Sequence, residues 1–111
     1  MLRLVKPWTS ISTVLDGSSP TRVHGEMGVY QLADGAGDVI FIGYAGGRSP
    51  FGLRGEIAAY EKYAPDAVSV RVEVTTAYLS RYQELLKLHV ADHGALPRCN
   101  PPLNLGRLSP A

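Results

Sequence analysis

Residues 28–43 read GVYQLADGAGDVIFIG, two short apolar runs on either side of a glycine-rich, acidic turn. The turn, Asp34-Gly35-Ala36-Gly37-Asp38, has the composition of a tight chain reversal, because glycine reaches positive φ at no steric cost. Gly28 to Ala33 and Val39 to Gly43 therefore predict an antiparallel hairpin. Val39-Ile40-Phe41-Ile42 is apolar at every position, which predicts a central strand covered on both faces. Tyr30 in the first run and Phe-Ile-Gly at the end of the second are more than a plain hairpin requires.

Beyond the hairpin the period changes. Tyr44 to Gly52 contains Gly46, Gly47 and Pro50 and reads as loop. Ser49 is placed to cap a helix with Pro50 at its first position, and Leu53, Ile57 and Tyr60 recur at helical spacing, predicting a helix over residues 50–63. Val68, Val70, Val72 and Val74 alternate with Ser69, Arg71, Glu73 and Thr75, the pattern of a half-buried antiparallel strand at an edge. From Ala77 to His93, Tyr78, Tyr82, Leu85, Leu86 and His89 share one helical face, and Gly94 and then Pro97 stop the helix. A short helix over residues 10–15 precedes Asp16-Gly17, and Trp8 is expected to pack over the sheet edge. The sum is an α+β fold: a small three-stranded antiparallel sheet flanked by helices. Residues 1–27 read as an N-terminal segment packing on the domain, 28–100 as the domain, and 101–111 as a proline-rich tail.

The chain has 111 residues, 45% apolar and 19% charged, with a formal charge of +1, a profile of one globular domain with one modest core. No apolar run is long enough to span a bilayer, and Pro7, Trp8 and the Ser/Thr cluster after them break up any signal-peptide core. A cytoplasmic setting and no membrane partner are expected. Cys99 is the single cysteine, so no intramolecular disulfide can form.

Gly28-Val29-Tyr30, Phe41-Ile42-Gly43, Arg54 on the following helix, Glu84 on the long helix and Pro97-Arg98-Cys99-Asn100 occur in the order found in the GIY-YIG endonuclease superfamily. The chain resembles that family over Gly28 to Asn100. The resemblance implies a GIY-YIG-like sandwich and a metal-dependent endonuclease hydrolysing DNA phosphodiester bonds. Nucleic acid, DNA rather than RNA, would be the partner, and a homodimer or an accessory protein would supply selectivity. It implies Tyr30 as general base or water-orienting group, Arg54 as phosphate clamp, Glu84 as ligand of one Mg²⁺ or Mn²⁺, and Asn100 as a hydrogen-bonding anchor. A hard cation that keeps most of its waters needs only one or two carboxylates. Phe41 and Gly43 would support the site, and His89, a turn or so beyond Glu84, would line it. Phe41 stands where the family's second tyrosine is usual. Tyr44 would bring in a phenol instead, or the chain would be a catalytically impaired nucleic-acid-binding module of the same fold. A third reading, from the near-neutral charge, is an interaction domain that meets no nucleic acid.

Each of these residues also has a plainer reading. Tyr30 fits a core position, and Arg54 beside Glu56 and Glu61 fits a solvated surface. Glu84 is three residues from Arg81 and can form an ordinary helical ion pair. His89, His93 and Cys99 have a spacing that can hold zinc, but no fourth ligand is evident, and histidines in a last helical turn also suit the helix dipole.

Overall fold

The computed structural model describes residues 2–102, so the expected tail lies, from residue 103, outside the described residues. The fold is α+β, built on an antiparallel sheet. Strands β1 (Thr9–Ser10), β2 (Gly28–Ala33), β3 (Val39–Ala45) and β4 (Ser69–Val74) are ordered β1-β4-β2-β3. Helices α1 (Ile11–Asp16), α2 (Gly52–Ala58) and α3 (Tyr78–His93) cover the two faces, with a short 3-10 turn over Tyr60–Lys62.

The hairpin forms where the sequence places it, and Asp34 shows why. Its Oδ1 accepts the backbone N–H groups of Ala36 (3.1 Å) and Asp38 (3.0 Å), holding the reversal from inside. These bonds, that from Asp38 foremost, hold the Asp34 carboxyl below the usual carboxylate range.

Three expectations need correction. The sheet has four strands rather than three, because Thr9 and Ser10 pair with Val70 and Ser69, and that pairing puts β4, expected at an edge, between β1 and β2. In that register Pro7 falls opposite Val72, and proline has no N–H to donate to a ladder, so β1 ends after two residues. The apolar strand β3 is not central but lies at the sheet edge, and β2 occupies the centre. Its edge is instead covered by the segment after α3. The Cys99 N–H donates to Ile40 O at 2.9 Å. Asn100 then takes both backbone groups of Ile42: the Ile42 N–H donates to Oδ1 and Nδ2 donates to Ile42 O, each at 2.9 Å. One side chain thus does the work of a neighbouring strand. The third correction concerns α2, which starts at Gly52 and gives way to the 3-10 turn before Tyr63; Ser49 and Pro50 remain in the loop.

The register of β2 against β3 shifts after Leu32, so Ile40 is an extra residue in β3. That bulge lets Ile40 and Phe41 both enter one core. This core holds Tyr30, Leu32, Val70, Leu53 and Ile57, together with Ile11 and Val14 from α1. A second, smaller core on the opposite face packs Val29 and Ile42 against Leu85 and Leu86 of α3 and Leu4 of the N-terminal segment. Gly94 ends α3 in the left-handed conformation (φ 81°), as its position in the sequence predicts. The N-terminal segment is fastened to α3 by Arg81, which donates to Leu2 O, and by the Arg3–Asp92 pair at 2.7 Å. Trp8 lies over the guanidinium of Arg71, 4.3 Å from its centre.

If Asn100 substitutes for a strand, Asn100→Ala leaves two Ile42 backbone groups unpaired and lowers unfolding free energy by about 2 kcal/mol. Urea denaturation checks this. Asn100→Asp should cost at least as much, since a carboxylate accepts from the Ile42 N–H but opposes the Ile42 carbonyl.

Candidate functional site

A cleft of about 770 Å³ wraps the outer edge of β3. Its floor is the hairpin itself. Tyr30 projects from the central strand and its ring crosses Gly43 on the neighbouring strand. A Cβ at residue 43 would stand 2.5 Å from both Cζ and the hydroxyl oxygen of Tyr30, closer than atoms can approach. The glycine that closes the Phe-Ile-Gly run is therefore required by the tyrosine opposite it, its partner in the β2–β3 register. Gly46 plays the same part for Tyr78, whose ring would lie 2.6 Å from an added Cβ and whose hydroxyl accepts the Gly47 N–H at 3.3 Å. The Gly46 N–H in turn donates to Ser49 Oγ, at 3.1 Å, so the β3–α2 loop closes on itself.

Aromatic rings stand on both sides of this floor. On the α2 side Tyr63 stacks on Phe41, with centroids 5.3 Å apart, and Phe41 leans on Tyr30 at 6.1 Å. On the α3 side Tyr44 stacks on Tyr78 at 5.7 Å and tilts against Tyr82 at 4.8 Å. Tyr44 is 38% exposed and Tyr63 46%, so each presents ring surface to solvent. Arg48 stands at the rim as the sole cation among the described lining residues, and Glu56 is the sole acid.

Tyr30, Phe41, Gly43, Tyr44 and Asn100 all line this cleft. Arg54, Glu84 and His89 do not. Arg54 donates from Nη1 to Val14 O (3.2 Å) and from Nη2 to Leu15 O (2.7 Å), closing the last turn of α1. Cations suit a helix C-terminus, and this one is committed there. Glu56 lies two residues on, about 200° round the helix, and so faces the cleft that Arg54 turns away from. The sequence signal for Glu56 was present in its spacing. It was masked by reading both residues as parts of one solvated face.

Glu84 accepts from Arg81, which also forms a two-point pair with Glu73, Nε to Oε2 at 2.8 Å and Nη2 to Oε1 at 3.1 Å. The guanidinium is held above its usual range, first by Glu73 and then by Glu84. Glu84 therefore belongs to a structural network binding α3 to β4 and the N-terminal segment. Among the described residues no group of three or more His, Cys, Asp or Glu side chains gathers to hold a metal ion. The Glu84 carboxylate is engaged by the Arg81 guanidinium, which it shares with Glu73. His89 lies in a separate hollow with His93, Asp34 and Asp38, its Nδ1 2.9 Å from Ala95 O. Burial lowers its pKa, the bond to Ala95 O opposing.

The electrostatics of the floor follow from burial. Tyr30 is 1% exposed, and desolvation, reinforced by Glu56, pushes its hydroxyl far above the ordinary tyrosine range. It stays protonated at neutral pH. Burial alone raises the Glu56 carboxyl.

The domain-of-unknown-function family DUF7508 matches residues 2–92. The chain belongs to this family. The match takes in both faces of the sheet, the hairpin floor and α2 with Glu56, and ends within α3, before Asn100. No curated protein matches the chain. No helix among the described residues is long and apolar enough to cross a membrane.

Two outcomes test this geometry. Gly43→Ala should destabilise the chain by about 1–3 kcal/mol through overpacking against Tyr30, and most of that loss should vanish in a Tyr30→Leu background. The second concerns pH. A carboxyl whose folded pKa is raised imposes its cost once it ionises, above its folded value, and none below its unfolded value, near 4.5. Glu56→Gln should therefore raise Tm at pH 7, and the gain should disappear as the pH falls through about 4.3.

Proposed function

We propose that the chain is a GIY-YIG-like domain that binds nucleic acid without hydrolysing it, stacking an unpaired base on the tyrosines of the β3-edge cleft. One observation carries this reading: the cleft is lined by aromatic rings with a single arginine at its rim, while Arg54 and Glu84 are engaged elsewhere. Base–aromatic stacking contributes about 1–3 kcal/mol per base, does not need a dense field of cations, and tolerates any base. A near-neutral chain suits such a site better than it suits a groove that tracks many phosphates.

The endonuclease reading draws on a different observation. Tyr30, Gly43 and Asn100, three of the residues that carry the family resemblance, meet in one cleft. Against it stand the phenylalanine at residue 41, the protonated state of Tyr30 and the distance of Glu84 from the floor in function if not in fold, since its carboxylate is held by Arg81.

Fluorescence anisotropy with labelled single-stranded and duplex DNA separates the readings. Single strands should bind better than duplex, and Tyr63→Ala or Tyr44→Ala should weaken binding by roughly tenfold, in line with the loss of one stacked base. With one arginine lining the cleft, log K should fall with log salt at a slope of about −0.7, against several times that for a phosphate-tracking groove. Incubation of plasmid DNA with Mg²⁺ or Mn²⁺ should leave it intact. Nicking by clean protein that Tyr30→Phe abolishes would instead establish the endonuclease.

A further inference from the structure

We infer that the cleft reads the base it takes, preferring guanine, and that Glu56 makes the selection; this rests on the reading of the cleft as a site for an unpaired nucleotide. The argument begins with what the cleft offers. Its tyrosines stack on any base and so cannot discriminate. Asn100 has its amide plane fixed by its two bonds to Ile42, which turn one donor and one acceptor away from the cleft. Arg48 at the rim is placed for a phosphate, which positions a strand and carries no sequence information. Glu56 is left as the one charged acceptor beside the rings of Tyr30 and Tyr63.

An ionised carboxylate is acceptor-only, with two oxygens side by side. Among the bases, guanine alone presents two adjacent donors on its pairing edge, N1–H and the N2 amino group. Adenine and cytosine set an amino donor beside a ring-nitrogen acceptor. Thymine and uracil set one N–H between two carbonyls. Against a carboxylate both of these arrangements place lone pair against lone pair, whereas guanine forms two parallel charge-assisted bonds. Among the described residues the fold supplies Glu56 with no compensation: desolvation perturbs its carboxyl and no hydrogen bond or opposite charge offsets it. A ligand with paired donors provides what the protein withholds. The floor is also rigid, because Tyr30 is pinned between β3 and the core, so the carboxylate and the stacking ring keep their relation when a base enters.

The test uses the whole chain and short single-stranded oligothymidylates carrying one central guanine, inosine, adenine, cytosine or no substitution, followed by fluorescence anisotropy. The guanine oligonucleotide should bind tightest, by roughly tenfold over adenine. Inosine, which lacks the N2 amino group, should fall between. Glu56→Gln presents one acceptor and one donor, so it should remove the guanine preference. Tyr63→Ala should weaken all strands alike. Equal affinity for all five strands would overturn the inference and leave the cleft reading standing, as would a guanine preference that survives in Glu56→Gln. Failure of every strand to bind would overturn the cleft reading itself. The inosine comparison needs no variant, so the inference stays falsifiable whatever Glu56→Gln does to the fold.

Discussion

The ring of Tyr30 lying across Gly43 is the contact on which the rest is arranged. It joins the central strand to the edge strand by packing as well as by hydrogen bonds, and it spans from the core to the cleft with one side chain. Burying a phenol this deeply costs less than burying a charge, and the price is that the group remains neutral. That neutrality decides what the site can do. A floor made of protonated tyrosine, phenylalanine and glycine can position a flat ligand.

The edge strand depends on a second device. A strand as apolar as β3 is ordinarily buried by neighbours on both sides, and here one of those neighbours is a single residue. Asn100 satisfies the Ile42 backbone in both directions, so β3 is closed in the hydrogen-bonding direction without another strand. The same segment brings Pro101 to the cleft wall, which means that the end of the fold and the rim of the site are set by one pair of bonds.

The hairpin was legible in the sequence because its turn chemistry is local: Asp34 and the glycines act on their immediate neighbours. The long helix was legible for the same reason, with an apolar stripe and Gly94 as its stop. What escaped was non-local. The bulge at Ile40 changes which face a residue meets and leaves no mark on composition. The central placement expected for β3 failed because coverage by Cys99 and Asn100 looks, in sequence, like coverage by a strand. At the candidate site, Tyr30, Phe41, Gly43, Tyr44 and Asn100 line one cleft, whereas Arg54 is bound to the carbonyls of α1 and Glu84 to Arg81. Arg54 finds its partners on a distant segment, which no spacing rule reveals, whereas the pairing of Glu84 with Arg81 is the three-residue helical spacing itself. Glu56 was passed over because a two-residue step on a helix reverses direction, and the start of α2 sets which of the two faces inward.

Pro7 has a wider effect than shortening β1. Sheets grow by adding backbone to an open margin, and that is also how chains join into fibrils. One margin of this sheet is sealed by an amide side chain and the other is blunted by an imino acid after two residues. Two copies that collide therefore meet short, interrupted margins in place of a long open ladder.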